Sequence, residues 1–215
     1  MASLNKQMIS KIMQYAKEEY SKNNDTTHDW DHICFVVNIA KSIARKEGMD
    51  EDIVEAGALL HDIGYPRFDE QKEEYLHCDH ASISARKSET FLVQLGLDKQ
   101  TIESIKDTIQ FHSGNNITKS KSREAKAVYD ADKLDVIGPR GLTRAVIWYV
   151  KYEIPDYPIE KIYQRALEDG EKNVLRMQTD TGKALAKKYM SYLDSFKAGW
   201  ESINQNASDS KTISK

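Results

Sequence analysis

The sequence has no excess of basic charge. Lysine and arginine total 31 against 34 aspartate and glutamate residues, which gives a net charge of −3 over 215 residues. Proteins that bind nucleic acid or anionic membranes do so mainly through basic surfaces. We therefore expect neither a nucleic-acid polymer nor a membrane as a partner, although a local pocket for phosphate is compatible with this balance.

Other scarce residues narrow the class of protein further. Ten glycines and four prolines exclude collagen-like chains and proline-rich disordered chains. The two cysteines, Cys34 and Cys78, are able to pair, but such a low number of cysteines is typical of a reducing compartment. We expect both to be small side chains that are buried or half-buried. No run approaches the roughly 18 apolar residues of a membrane span, and the N-terminal segment has no apolar core of signal-peptide length. We therefore expect a cytoplasmic protein.

Hydrophobic residues make up 40% of the chain, enough for a folded core, and they recur at helical spacing. In the first helical segment, for example, Ile12 and Ala16 lie four residues apart, which places them on one face. Similar patterns follow along most of the chain. They predict a single all-α domain over residues 1–203, with its core at about 25–150, a C-terminal helical extension and a disordered tail at 204–215.

The same patterns predict where individual helices end. Gly48 and Gly96 each follow an apolar helical segment, and we expect them to terminate it. The apolar run AVIWYV at 145–150 has the composition of a strand. Because it lies between helical patterns, we expect a buried helix there. Two helices at about 159–178 and 181–203 are expected to complete the fold.

The six histidines all lie within the first 112 residues, and several are next to an aspartate. The pair His61-Asp62 ends the apolar segment EAGALLHD, which places two polar groups against the core, where they need a strong partner such as a metal ion. Adjacent residues of a helix point about 100° apart, close to the angle between neighbouring ligands of an octahedral ion. Taken alone, such a doublet is more often an ordinary helix end that faces water.

Two further segments carry candidate ligands. His32 lies on the apolar stripe of its helix, where a lone histidine is more often a hydrogen-bonded core residue. Asp132 and Asp135 are three residues apart and therefore share a helix face. The same spacing is also found for two helix carboxylates that only face solvent. A neutral imidazole is a good ligand for transition metals and a carboxylate is a harder one. A pocket that combines them therefore suits a mid-row divalent ion.

The order of these residues resembles that of the HD superfamily of metal-dependent phosphohydrolases. The flanking text is similar over about residues 25–200, in the segments HDWDHICFVVNIA, EAGALLHDIG and DADKLDVIGPRGLTRA. The segment TDTGKALAKKYMSYLDSF is similar to the closing helix of small stand-alone bacterial HD hydrolases, a nucleotide pyrophosphohydrolase-like subgroup. The resemblance implies a helical HD domain with four metal ligands: His32, His61, Asp62 and Asp132.

The resemblance also implies roles for residues around the metal. His80 and His112 match histidines that handle substrate phosphate or bind a second ion, with Asp62 as the bridge. Either histidine can also protonate a leaving group, because imidazole titrates near neutral pH. Asp29 or Asp135 is expected to steer the attacking water. Substrate contacts are expected from four residues: His28, Arg67, Lys133 and Arg144.

The chain departs from the family pattern at two positions. Phe35 stands three residues after the first ligand, where the family usually has arginine. Tyr65-Pro66 follows the doublet, where many relatives have a lysine, and we expect the role of that lysine to move to Arg67.

These features predict a hydrolase for phosphate ester or anhydride bonds of a small nucleotide. The enzyme would remove phosphate from a monophosphate or cleave a triphosphate to monophosphate and pyrophosphate. The expected cofactor is one divalent ion, or two, with manganese, iron, cobalt, nickel and zinc all suited and magnesium less so. The alternatives are a catalytically silent HD module that binds metal or nucleotide and signals to a partner, and a helical domain whose His and Asp residues are structural. A homo-oligomer is compatible with any of them.

Overall fold

The computed structural model describes residues 4–22, 27–65, 79–114, 116–120, 122–153 and 158–210, and every regular element in these ranges is helical. The predicted all-α class is therefore confirmed. In the same ranges no helix has the length and apolar composition needed to cross a bilayer. A short 3₁₀ helix (Asn116–Lys119) and a π-helical turn (Tyr149–Glu153) accompany the α-helices. The α-helices are α1 (Lys6–Tyr20), α2 (Trp30–Glu47), α3 (Glu51–Leu60), α4 (His80–Gln94), α5 (Lys99–Gln110), α6 (Arg123–Leu134), α7 (Gly138–Trp148), α8 (Ile159–Val174), α9 (Asp180–Ser191) and α10 (Asp194–Ser210).

Local side chains explain where several of these helices begin and end. The carboxylate of Asp98 caps the N-terminus of α5, and the hydroxyl of Ser122 caps that of α6. Such caps accept hydrogen bonds from N–H groups that have no partner inside the helix. Gly48 ends α2 with a φ of 64°, and Gly96 follows α4 with a φ of 83°, which is the left-handed region that favours glycine. Both glycine positions are therefore confirmed as helix ends.

The central helices pack closely around the segment that carries the doublet. Helix α2 packs against α3 and α6, and α3 also packs against α1 and α5. Gly57 permits the close approach of α3 to α5, because a Cβ atom at this position would lie 1.8 Å from the hydroxyl oxygen of Thr108. The residues that follow these two helices consequently meet, with the ring centroids of His61 and His112 only 4.8 Å apart.

The segment 145–150 is helical, as expected, but it is not buried as a whole. Ile147 is 43% exposed and Val150 is 47% exposed, whereas Tyr149 is buried. The reason is that α7 packs on α8 and α9 through part of its circumference, which leaves the opposite side chains at the surface. An apolar run of this length is therefore not sufficient evidence of burial on all sides.

The C-terminal region differs from the expectation in two ways. The single helix expected at 181–203 is interrupted between α9 and α10. Helix α10 then continues to Ser210, beyond the expected end at 203, whereas the expected disorder of the tail at 204–215 stays a prediction. One cause is a hydrogen bond of 3.0 Å from the side-chain amide of Asn204 to Glu160, which ties α10 to α8.

Cys34 is exposed, which corrects the expectation of a buried or half-buried side chain. Helix α2 turns Ile33 and Val37 toward the core and leaves Cys34 on its outer face. Cys78 lies outside the described residues.

Candidate metal centre

Polar side chains from separate helices converge at the centre of the molecule. His32 belongs to the first turn of α2, His61 and Asp62 follow α3, and Asp132 belongs to the last turn of α6. Donor atoms of His32, His61 and Asp132 all lie within 4.8 Å of one another, and so do those of His61, Asp62 and His112. The structure therefore brings together the four residues that the resemblance implies as ligands and places His112 beside them.

The distances between donor atoms fit a shared ion. The Nε2 atom of His32 lies 3.3 Å from Nε2 of His61 and 3.6 Å from Oδ1 of Asp132. Oδ2 of Asp62 lies 3.7 Å from His32 Nε2 and 3.3 Å from His61 Nε2. Protein nitrogen and oxygen ligands bind zinc at about 2.0–2.2 Å, so donor atoms with this separation can surround one ion of that size.

The carboxylate of Asp62 faces two groups of imidazoles. Oδ2 points to the group that contains His32 and His61, whereas Oδ1 lies 3.2 Å from Nε2 of His112 and 3.6 Å from Nε2 of His80. Oδ1 is buried and accepts no hydrogen bond of acceptable geometry from the residues that the structure describes. A buried carboxylate oxygen without a donor is unfavourable, and a cation satisfies it. The residues present therefore fit a divalent ion.

The C-terminal ends of α3 and α5 determine which ring nitrogen faces the site. Nδ1 of His61 lies 2.8 Å from the carbonyl oxygen of Ala58, and Nδ1 of His112 lies 2.6 Å from that of Ile109. The last carbonyl groups of a helix have no partner inside the helix, so they are available to these rings. Because a carbonyl only accepts, each Nδ1 carries the proton and each Nε2 offers its lone pair to the site.

Asp135 orients the third ring of the centre. Its Oδ2 lies 2.7 Å from Nδ1 of His32, and both residues are buried. Arg140 pairs with Oδ1 of the same carboxylate, and Nε of Arg144 lies 2.8 Å from Oδ2. Since both oxygens are occupied, Asp135 lies behind His32 as its support. The expectation that Asp135 steers the attacking water stays a prediction.

Neighbouring imidazoles and a lysine keep the central carboxylates ionised. Burial by itself raises the pKa of Asp62, but His61 and the neighbouring rings outweigh it and hold this pKa well below its usual range. Burial likewise opposes ionisation of Asp132, whose pKa is nevertheless lowered, chiefly by Lys133. Nζ of Lys133 lies 2.8 Å from Oδ2 of Asp132. The centre therefore presents two carboxylates that are charged at neutral pH, as a cation site requires.

The imidazoles differ in their affinity for protons. Burial lowers the pKa of His32, but its hydrogen bonds with Asp135 and Asp62 outweigh burial and raise the pKa to about 9. A proton on this ring balances the carboxylates until an ion replaces it. Burial is also the main influence on His80, and it lowers that pKa to about 4. His80 is therefore neutral at pH 7, which suits a metal ligand better than a proton donor.

Asp29 and Arg67 are two of the remaining residues that are expected near the attacking water and the substrate. Asp29 is exposed, and its carboxylate caps α2 by accepting a hydrogen bond of 3.0 Å from the backbone N–H of His32. It therefore supports the helix turn that carries a ligand, and its expected role at the attacking water stays a prediction. Arg67 lies outside the described residues, so its contact with substrate stays a prediction.

A cavity of about 420 Å³ opens beside the donor groups, between α7 and α8. One wall is formed by His28, whose ring stacks on Tyr65 at 3.7 Å and lies 5.8 Å from the ring of His32. Trp148 meets His28 edge-on at 5.8 Å. Ligand pockets commonly combine such apolar walls with a few polar groups. Three cationic side chains also line the cavity, Arg144, Lys172 and Arg176, together with the acidic Asp169, whose Oδ1 lies 3.5 Å from Nζ of Lys172.

Sequence reasoning misses two residues at the site. The ring of Tyr65 lies 4.8 Å from that of His80, so this residue, three positions after Asp62, lies between the donor groups and the cavity that it lines. The guanidinium of Arg140 lies 4.7 Å from the ring of Phe35, where the family pattern has an arginine. The absence of an arginine at position 35 indicates in the sequence that a cationic side chain from another segment takes this place. Nothing in the local sequence identifies Arg140 as that residue.

Comparisons with known proteins agree with this geometry. The sequence pattern of the HD domain matches residues 29–137. The uncharacterized protein YpgQ of Bacillus subtilis (strain 168) is 33% identical over 125 residues, which cover 56% of this chain and 57% of YpgQ. A deoxyguanosinetriphosphate triphosphohydrolase-like protein of Clostridium tetani is 33% identical over 112 residues, which cover 48% of this chain and 32% of that protein. The matching region thus spans little more than half of the first relative and about a third of the second.

Solved structures show the same fold. The crystal structure of Bacillus subtilis YpgQ in complex with ADP has a TM-score of 0.69 and 25% identity, and the match covers 90% of this chain and 96% of that one. An HD-superfamily hydrolase from Bacillus thuringiensis has a TM-score of 0.64 and 24% identity, with 91% and 95% covered. The chain belongs to the HD domain family, whose members bind divalent metal ions.

Proposed function

We propose that this protein is a metal-dependent phosphohydrolase that cleaves a phosphate ester or anhydride bond of a small nucleotide. The observation that carries this proposal is the position of the Asp62 carboxylate. It lies between two groups of imidazole nitrogens, and both groups adjoin a cavity with aromatic and cationic walls. Such a combination of a cation site and a nucleotide-sized cavity serves phosphoryl chemistry directly.

The donor set supports a divalent cofactor of the first transition row. Neutral imidazole with carboxylate suits manganese, iron, cobalt, nickel or zinc. A bound ion of this kind supplies acidity to water and neutralises charge on phosphoryl oxygens. The first ion would be held by His32, His61, Asp62 and Asp132, and His80 and His112 would complete a second group around Asp62.

The side chains around the ion supply binding and orientation. Lys133 and Arg144 bring positive charge beside Asp132 and Asp135, which favours a phosphate group at this edge of the site. The stacked rings of His28 and Tyr65 line the cavity and lie beside the rings of His32 and His80. Flat aromatic surfaces bind a nucleobase by stacking, and they also reduce the access of water.

The finer proposal is cleavage of a nucleoside triphosphate to monophosphate and pyrophosphate. Lys172 and Arg176 bring positive charge to the cavity, and the metal centre is a second source of positive charge. A polyphosphate is long enough to interact with both. Similarity to YpgQ, crystallised with ADP, and to deoxyguanosinetriphosphate triphosphohydrolase-like proteins supports a nucleotide as substrate.

A nucleotide panel tests this proposal. The full chain is incubated with ribo- and deoxyribonucleoside mono-, di- and triphosphates in the presence of Mn²⁺, Co²⁺, Ni²⁺, Zn²⁺ or Mg²⁺, and release of phosphate, pyrophosphate and triphosphate is measured separately. Asp132→Ala is expected to lose metal and activity together. Asp52→Ala, at an exposed aspartate near the start of α3, is the matched control and is expected to retain both.

The outcomes separate the possible functions. Pyrophosphate release from a triphosphate supports the finer proposal, and release of another product supports the hydrolase alone. Tight nucleotide binding without turnover under any metal would instead identify a silent binding module. A protein that binds no divalent ion would contradict the proposal in all its parts.

A further inference from the structure

The N-terminal helix α1 reaches the metal centre through one side chain. Tyr20, its last residue, is 5% exposed, and its hydroxyl oxygen accepts a hydrogen bond of 3.1 Å from the backbone N–H of Asp62. The ring of Tyr20 also packs against Trp30, the first residue of α2, with 6.1 Å between centroids. Helix α1 precedes residues 29–137, so this contact comes from outside the part of the chain that matches the HD domain.

The hydrogen bonding of the doublet explains why Asp62 needs an outside acceptor. In a continuous α-helix its N–H would donate to the carbonyl of Ala58, four residues earlier. Helix α3 ends at Leu60, and the Ala58 carbonyl accepts from Nδ1 of His61 instead. This exchange turns the lone pair of His61 Nε2 toward the site, but it leaves a buried N–H without its helical acceptor. Buried N–H groups are strongly disfavoured without a partner, and the hydroxyl of Tyr20 supplies one.

We propose that Tyr20 is a positioning residue of the metal centre, a role that rests on the metal-dependent function proposed above. By holding the N–H of Asp62, it fixes the backbone turn in which the ring of His61 and the carboxylate of Asp62 both face the ion. The hydroxyl acts through this backbone and not as a ligand. Helix α1 is accordingly part of the site.

The test compares two substitutions that each remove one hydroxyl from α1. Tyr20→Phe keeps the buried ring and removes the acceptor for Asp62. Tyr15→Phe is the control, because Tyr15 is half-buried on the same helix and stacks on Phe91 at 4.0 Å. Metal-free full-length proteins are titrated with Mn²⁺ and with Co²⁺ by calorimetry. Urea unfolding measures the stability of each metal-free protein. Hydrogen exchange of the Asp62 amide, followed by NMR, reports on the hydrogen bond itself.

We expect Tyr20→Phe to bind both ions about 10–100-fold more weakly, the usual effect of removing a support behind a ligand, and to lose protection of the Asp62 amide. Tyr15→Phe should bind within about twofold of wild type by the same reasoning. Wild-type affinity in Tyr20→Phe would overturn the proposal and leave the metal-dependent function intact, as would an equal loss in both variants. An unprotected Asp62 amide in the wild-type protein would overturn it even if Tyr20→Phe failed to fold. A wild-type protein that binds neither ion would overturn both proposals together.

Discussion

Asp135→Asn tests whether the carboxylate behind His32 controls metal affinity. The substitution keeps the size of the side chain, but one amide oxygen cannot replace two carboxylate oxygens that pair with His32, Arg140 and Arg144. If the amide oxygen accepts from Nδ1 of His32, its NH₂ group faces a guanidinium donor. If the amide turns round, its NH₂ group faces the proton of His32. Loss of such a partner typically weakens metal binding about 10–100-fold, or about 1.4–2.7 kcal/mol.

Calorimetric titration of metal-free protein with Mn²⁺ measures this loss directly. Asp31→Asn is the matched control, because Asp31 also pairs with Arg140, at 2.7 Å, but its side chain is 74% exposed. We expect the control to bind within about twofold of wild type, since screened surface pairs contribute little. An unchanged affinity in Asp135→Asn, or an equal loss in the two variants, would show that the carboxylate does not act through His32.

Three further substitutions probe the fold and the cavity. Asp130→Ala should lower the free energy of unfolding by about 3 kcal/mol in urea denaturation, because its carboxylate accepts from the backbone N–H and the hydroxyl of Thr179, at 2.8 and 2.6 Å. Gly57→Ala should destabilise the protein by about 1–3 kcal/mol through overpacking against α5, and Thr108→Gly in the same chain should recover part of that loss. Trp148→Ala should raise KM for the nucleotide at least about fivefold through lost stacking, with metal affinity unchanged, and a loss of metal binding would contradict this assignment to the cavity.

Much of the metal centre can be predicted from the sequence because its ligands are polar residues that interrupt or end apolar helical patterns. Apolar spacing locates α2 and α3, and the polar residues that interrupt or end them are conspicuous against that spacing. His61 and Asp62 are marked in this way by the apolar run before them. Asp132 is marked only in combination with the others, since an aspartate on a helix is common. The structure brings together the same four residues that the family resemblance implies as ligands.

The supporting residues cannot be found in this way because their partners are distant in sequence. Tyr20 is separated from Asp62 by 42 residues, and Arg140 from Asp31 by 109. Helical periodicity reports which face of a segment is buried, but it does not report which other segment covers that face. The same limit explains α7, where an apolar run predicts burial although neighbouring helices cover only part of its surface.

The position of each histidine on its helix explains why only one of three rings requires a carboxylate behind it. His61 and His112 follow the C-terminal ends of α3 and α5, where unpaired carbonyls accept their Nδ1 protons and the partial negative charge of the helix end favours a cation. His32 lies in the first turn of α2, where a helix offers N–H donors and no free carbonyl, so Asp135 must supply the acceptor. In the NMR spectra of metal-free Asp135→Asn, we therefore expect the ring nitrogens of His32 to change their protonation while those of His61 and His112 keep the proton on Nδ1. A change in all three rings would indicate that the substitution disturbs the whole centre and that helix position does not set the state of each ring.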